Sequence, residues 1–429
     1  MERRGRLPAI YSCGPTVYDF PHIGNLRAYI FSDVLRRVFE FNKYGVNQVM
    51  NVTDVGHLTS DSDTGEDKIE KGAKREGKSA REIADFYTKV FLENIKELNI
   101  EMPSHLPKAT DHIQEQIDLI KKLEEKGYTY KTSDGLYFDT SKFPDYGRLA
   151  RLDIEGLKAG SRVDMKEKKS PTDFALWKLS KSDEKRQMEW DSPWGKGFPG
   201  WHIECSAMSM KYLGDSFDIH TGGIDHIPVH HTNEIAQSEA ATGKPLANYW
   251  LHSEFLKVKG EKMAKSAGSF ITLYDLKKKG FELLAFRYLC LEAHYRSKMD
   301  FSFESLEGAQ KGLKAIKDLA YRQEPSEADG AASNRVLEAF CDDLDTPKAL
   351  ALLHKENNVN LWLKFDSILG LDLAKKEVKL TKEQEEKIAK REEARKNGDY
   401  DMADKIRKEL EGEKIMIEDT EEGTRVLTK

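Results

Sequence analysis

Apolar and polar positions follow two different periods along this chain, and the switches between them mark its elements. Ala9–Tyr11 is a short apolar run that reads as a buried strand, broken by Cys13, Gly14, Pro15 and Thr16. After His22-Ile23-Gly24-Asn25 the spacing becomes helical, with Ile30, Val34, Leu35, Val38 and Phe41 near one face and Gly45 past the end. Gly45–Thr53 reads as a second strand. Strand, glycine turn and helix make half of a nucleotide-binding βαβ unit, whose helix start offers backbone N–H groups to phosphate oxygens. Helical spacing recurs over Ala80–Leu98 and His112–Lys126. At Gly127 the pattern changes. Tyr128–Asp139 alternates aromatic and polar residues about Ser133-Asp134-Gly135, a hairpin signal, and Phe174–Leu179 reads as another strand.

Gly200–Gly214 returns to a helix, Ser216–His220 to a strand, Gly222–Pro228 to a loop and Val229–Ala241 to a helix. Trp250–Val258 is strand-like and leads into a polar loop. Beyond Tyr274 the spacing predicts helices over Phe281–Ala293, Phe303–Arg322, Asn334–Asp342 and Pro347–Leu369, with a polar break at Gln323–Ser333. Two charged helices, Lys382–Asn397 and Tyr400–Leu410, precede a hairpin over Lys414–Leu427. The expected architecture is α/β. A Rossmann-like parallel-sheet domain lies in two halves, residues 1–126 and 200–273, split by a mostly β insertion at 127–199. A helical bundle at 274–371 and a small α+β domain at 378–429 follow.

Bulk properties narrow the class. The chain has 429 residues, enough for several domains, and is 39% hydrophobic, enough for sizeable cores. No apolar run is long enough to predict a membrane span, and MERRGRLPAIY has no apolar core of a secretory signal. Four widely spaced cysteines point to a reducing compartment, the cytoplasm, over a disulfide framework. A net charge of -6 means that any nucleic-acid partner must be met by local basic surface. Asp61, Asp63 and Asp67 around Gly65, with Glu66, suggest a cation loop, but their spacing departs from that of an EF-hand.

Two motifs carry the chemistry. His22-Ile-Gly-Asn25 near the start and Lys262-Met-Ala-Lys265-Ser266 in the second half resemble, in order and distance, the two signatures of class I aminoacyl-tRNA synthetases. The strings YSCGPTVYDFPHIGN, GWHIECSAM and FDIHTGGIDHIPVHHTNEIAQSE are similar to those of the cysteinyl-tRNA synthetase family, and the resemblance covers nearly the whole chain. Read singly, Cys13 and Cys205 are small core residues, and His230 and Glu234 are a commonplace pair on one helix face. The resemblance implies that these four hold one Zn²⁺, with His226 and His231 as neighbours. It further implies that Trp201 packs along the small side of the substrate, that Asp225 meets its α-ammonium, and that Gly14 and Thr16 flank the first metal ligand. A soft ion separates cysteine from serine because it binds thiolate well and a neutral hydroxyl poorly, a distinction that shape alone makes weakly.

The implied reaction joins L-cysteine and ATP, as its Mg²⁺ complex, into cysteinyl-adenylate, then moves the cysteinyl group to the 3′-terminal adenosine of tRNA(Cys). His22, Gly24 and Asn25 then serve the ATP phosphates, and Lys262, Lys265 and Ser266 the departing pyrophosphate. Asn25 stands where the family motif has a second histidine, and Ala264 where it has a serine. At the carboxyl end, where the family reads the anticodon, Arg391, Arg395, Lys396, Lys405, Arg407 and Lys408 are candidates for phosphate contacts. A monomer with no membrane partner is expected. Two rival readings are a mycothiol-pathway cysteine ligase acting on an amino sugar and a non-catalytic tRNA-binding paralogue.

Overall fold

The first strand, β1 (Ala9–Ser12), leads through the glycine turn into α1 (Ile23–Phe41) and on to β2 (Asn47–Met50). In the computed structural model the described residues are 7–56, 67–152, 167–180, 186–258, 260–262, 270–322, 330–374, 380–413, 415–420 and 423–428. Asp61, Asp63, Gly65 and Glu66 of the candidate cation loop lie outside them. α2 (Lys68–Glu76), α3 (Ala80–Glu97) and α4 (Ile113–Glu125) follow β2. Next, β3 (Thr129–Thr132), β4 (Gly135–Phe138), β5 (Phe174–Leu179) and β6 (Gly197–Pro199) pair antiparallel in that order. α5 (Trp201–Leu213), β7 (Phe217–Gly223), α6 (Thr232–Thr242) and β8 (Ala247–Ser253) complete the first sheet. Its order is β2-β1-β7-β8, and all three pairings are parallel. This is the expected α/β nucleotide fold.

The expected strand Trp250–Val258 is in fact two. β8 ends at Ser253, and β9 (Leu256–Val258) pairs antiparallel with β10 (Glu261–Lys262) and parallel with β11 (Met299–Phe301) in a separate sheet. Between β8 and β9 the Glu254 carbonyl accepts from Arg27 of α1, and the Phe255 carbonyl accepts from both Arg27 and the Met299 N–H of β11. α7 (Leu273–Lys278), α8 (Leu283–Leu291), α9 (Phe303–Arg322) and α10 (Gly330–Cys341) form the helical region. The stretch Pro347–Leu369, read as one helix, is α11 (Thr346–Glu356) and α12 (Val359–Leu369). Asn357 between them is left-handed with φ 46°, and the Asn358 side chain caps α12. Asparagine tolerates both roles, which is why an unbroken apolar period hid the turn.

α1 organises the main core. Its Ile30, Val34 and Val38 lie in one apolar cluster with Phe286, Trp362 and Phe365 of the helical region. Charged groups are buried there too. Asp33 takes Arg37 Nε at 2.8 Å and Arg287 Nη2 at 2.5 Å, while Arg287 also donates to the carbonyls of Leu98, Asn99 and Leu369. Such ions persist in an interior only with their charges paired and their hydrogens shared out. Contacts divide the chain into two units, Met1–Leu373 and Ala374–Lys429. The second contains α13 (Lys382–Lys396), α14 (Tyr400–Gly412), β12 (Ile415–Thr420) and β13 (Gly423–Thr428), with Ile406, Leu410, Ile415 and Ile417 as its core.

Candidate active site and metal centre

The chain leaves β1 for β2 on one side and reaches β7 on the other. Adjacent strands whose connections run in opposite directions open a crevice at their carboxyl ends. Here that crevice is a cleft of about 350 Å³ lined by Cys13, Gly14, Thr16, His22, Gly24, Asn25, Trp201, Cys205, Asp225 and His230. Residues far apart in sequence thus meet at one end of one sheet.

His22 caps α1. Its Nδ1 accepts the Asn25 N–H at 3.1 Å, and the Asn25 side-chain oxygen accepts the His22 N–H at 3.3 Å. An accepting Nδ1 puts the ring proton on Nε2, which makes that nitrogen a donor. No acidic residue occupies the first turn of α1, so the positive end of the helix dipole is not offset. Asn25 therefore replaces histidine without losing the cap, because its amide oxygen takes the backbone donor.

Lys262 lies on β10, its backbone opposite Lys257. Lys265 and Ser266 fall outside the described residues. Beyond them, Ile271 accepts the Ile23 N–H at 2.9 Å, and the Phe270 ring meets His22 edge-on at 5.4 Å. Phe270 and Ile271 are therefore fastened to the start of α1.

At the inner wall, ligand atoms of Cys13, Cys205, His230 and Glu234 all lie within 4.8 Å of one another, and all four residues are buried. Zinc bonds of about 2.0–2.3 Å set neighbouring donors about 3.3–3.8 Å apart in a tetrahedron, so two thiols, an imidazole and a carboxylate at this spacing suit the ion. A second grouping, Cys13, His220, His231 and Glu234, meets the same distance criterion. The two differ in access: Cys205 and His230 line the cleft, whereas His220 and His231 do not.

A hydrogen-bonded shell of histidines surrounds this cluster. Glu234 binds His230 Nε2 through one oxygen and His220 Nε2 through the other, both at 2.6 Å. His230 Nδ1 lies 3.0 Å from His202 Nδ1, and His231 Nδ1 lies 2.8 Å from His252 Nε2. His231 Nε2 is 3.4 Å from Cys13 Sγ. Burial alone would raise the Glu234 carboxyl, but His220 and His230 hold it far below the usual range. Burial opposes the charge on His230, yet Glu234 and Cys205 bring it up to about 10. The Cys205 thiol, hydrogen-bonded to Cys13 and close to His230, falls to about 7 despite its burial. The cluster thus stabilises positive charge beside a thiolate, which is what a cation displacing a proton requires.

Sequence reading misplaced some details. Asp225, assigned by resemblance to the α-ammonium, lies exposed at the rim of the cleft. The expected loop Gly222–Pro228 is partly the end of β7, followed by a 3₁₀ turn and a π-helical turn, Ile227–His231. That wide turn sets His230 and His231 ahead of α6. His220, His202 and His252 were not singled out. For His220 the density of histidine in FDIHTGGIDHIPVHH was the available signal; His202 and His252 lie outside that string. In the second unit Arg391 is buried and grips Asp419 with two hydrogen bonds of 2.8 and 2.6 Å, and Arg395 also pairs with Asp419. Arg391 therefore holds β12 and is not an open phosphate contact.

Comparison with known proteins places these observations. Residues 3–311 match the family described as tRNA synthetases class I (C) catalytic domain. Cysteine–tRNA ligase 1 of Burkholderia lata is 53% identical over 99% of this chain and 93% of its own length. Cysteine–tRNA ligase of Treponema denticola is 47% identical over 96% of this chain and 93% of its own. Among solved structures, Mycobacterium tuberculosis methionyl-tRNA synthetase bound by methionyl-adenylate superimposes with a TM-score of 0.60 at 16% identity, covering 85% of this chain and 84% of that one. That likeness is one of fold.

Proposed function

The chain belongs to the class I cysteine–tRNA ligases, and from that premise we propose which of its residues do the work. Members of this family are ATP-dependent ligases. They activate L-cysteine with ATP and Mg²⁺ and transfer it to tRNA. We assign the amino-acid end of the cleft to Cys13, Cys205, His230 and Glu234 as holders of one Zn²⁺. The observation that carries this is a buried S₂NO donor set that opens onto the cleft through Cys205 and His230. When bound, the ion supplies selection of a thiolate over a hydroxyl. Gly14 stays close to β2, where its N–H donates to Asn51 at 2.8 Å and a Cβ would lie 1.7 Å from the Asn51 carbonyl, so only glycine lets Cys13 reach this position. Trp201, with its ring 4.6 Å from His230, walls the small end, and Thr16 stands beside it. Asp225 at the rim takes the α-ammonium of cysteine.

At the other end, the N–H groups of α1, Gly24 and the His22 Nε2 donor take the ATP phosphates. Asn25 is chiefly the cap that sets the His22 tautomer. Lys262, Lys265 and Ser266 neutralise the leaving pyrophosphate, a role supported by the fastening of Ile271 to the start of α1. We assign residues 1–126 and 200–273 to the catalytic fold, 127–199 to an insertion, 274–371 to a helical domain and 378–429 to anticodon recognition. Thiol ligands in the site suit a reducing compartment, the cytoplasm, and a monomer with tRNA(Cys) as partner is the simplest assembly. No described helix is long and apolar enough to cross a membrane.

The test is Cys205→Ser. Zinc content and cysteine-dependent ATP–pyrophosphate exchange are expected to fall together, with exchange down by about two orders of magnitude or more, the scale of metal-site losses. Zinc loss with unchanged preference for cysteine over serine would remove the metal from amino-acid selection.

A further inference from the structure

The rim of the cleft carries an aromatic group that the chemistry above leaves unused. Phe20 stands in the loop before His22, and Phe86 and Tyr87 stand on α3. The Phe20 ring meets Tyr87 at 5.3 Å and Phe86 at 6.3 Å, and Phe86 meets Tyr87 at 5.0 Å, every pair edge to face. Tyr87 is buried and its hydroxyl donates to Glu76 at 3.0 Å. Phe20 and Phe86, by contrast, are 40% and 42% exposed. Phe20 and Tyr87 also line the cleft, so the exposed rings continue its wall outward.

Charge supplies a second, independent observation. The chain carries net charge -6, yet residues 68–82, which form α2 and the start of α3, hold six basic against three acidic side chains. Lys78 Nζ lies 5.0 Å from the centre of the Phe86 ring and 3.2 Å from Glu76. The other acids nearby are committed: Asp85 pairs with Lys108 at 2.8 Å, and Asp19 accepts the Phe20 N–H. Exposed rings with Lys78 beside one of them, next to a locally basic stretch of an otherwise acidic molecule, match single-stranded nucleic acid, whose bases stack and whose phosphates need cations.

We propose that Phe20 and Phe86 form a stacking platform for a base of the unpaired 3′ end of tRNA, with Lys78 beside its phosphate. The proposal rests on tRNA being the acceptor. Transfer requires the 3′ end to enter the cleft that holds the adenylate, and a stack at the rim sets the register of that strand without touching the reacting atoms. Phe86, unlike Phe20, is not part of the cleft lining, so a change there tests transfer separately from activation.

The experiment uses the full chain as wild type, Phe86→Ala, Phe86→Leu and Phe86→Tyr. Charging is followed against tRNA(Cys) concentration, and ATP–pyrophosphate exchange is measured without tRNA. Loss of a stacked base predicts a Michaelis constant for tRNA raised roughly five- to tenfold in Ala and Leu, restored within about twofold by Tyr, with exchange unchanged. Leu keeps apolar bulk against Tyr87, so rescue by Leu would make the ring a packing element and overturn the platform. A parallel fall in exchange, with a raised constant for ATP, would assign the rings to the adenine of ATP and overturn it also. An unchanged tRNA constant in all variants of a charging-competent protein overturns the platform alone. Intact exchange with no charging by wild type would overturn the acceptor, and the platform with it.

Discussion

At the scale of residues, the amino-acid end of the cleft is set by who holds Glu234. Its two oxygens are divided between His230, which lines the cleft, and His220, which lies behind it. A ligand carboxylate is aimed by its second hydrogen bond, and losing that bond typically costs about 10–100-fold in metal affinity. His220→Gln is therefore expected to lower zinc affinity by about that factor, read by competition with a chelator, while all four ligands remain. Retention of wild-type affinity would show that Glu234 is positioned without His220. The four donors that come together, Cys13, Cys205, His230 and Glu234, were legible in three short strings. His220 was not, because its partnership with a residue fourteen positions on exists only once β7 and α6 lie side by side. The same reason explains Arg391, whose place in a basic helix hid its commitment to Asp419 on the hairpin that follows.

At the scale of elements, α1 links the nucleotide end of the cleft to the rest of the first unit. Arg27, two positions past Asn25, is buried and gives its hydrogens to four carbonyls, those of Glu254, Phe255, His294 and Ser297. Those carbonyls stand just before β9 and just before β11, the parallel neighbours in the sheet that includes Lys262. One side chain thus fixes both strand entrances relative to His22. Arg27→Met keeps apolar bulk but strips the Glu254 and Ser297 carbonyls of their donor, while the Phe255 and His294 carbonyls keep the N–H groups of Met299 and Ser297. At about 1–3 kcal/mol for each unsatisfied group it is expected to destabilise the protein by about 2–6 kcal/mol. Urea unfolding checks this; a shift below about 1 kcal/mol would mean that water replaces the guanidinium. The helix itself was legible from its apolar period. The strand break at Glu254–Phe255 was not, since both residues suit a strand and their carbonyls meet Arg27, and that of Phe255 also Met299 of β11, only once those elements pack together.

At the scale of the whole molecule, every described residue of the cleft and its cysteine–histidine–glutamate cluster belongs to the unit that ends at Leu373, while the charged helices α13 and α14 belong to the other. On the proposed assignment, activation draws only on the first. A fragment of residues 1–373 is expected to retain cysteine-dependent ATP–pyrophosphate exchange within about twofold, because the contacts that hold the cleft are internal to it. Charging of tRNA by that fragment is expected to fall sharply at the same tRNA concentration. Equal charging by fragment and full chain would detach the carboxyl-terminal unit from tRNA recognition.

The sequence by itself determined the kind of fold, the order of its elements and the chemical types gathered in the cleft. Short-range periodicity and turn residues encode elements locally, and the strings around Cys13, Cys205 and His230–Glu234 carry the family's signature. Tertiary structure alone decided which histidines surround the Cys13–Cys205–His230–Glu234 donors, that Asp225 sits at an exposed rim, that Asn357 splits a helix and that Phe20 and Phe86 are exposed, the latter beside Lys78. Those features depend on distances between segments tens to hundreds of residues apart. Such distances follow from how the sheet and helices pack, a property that no local stretch of the chain contains.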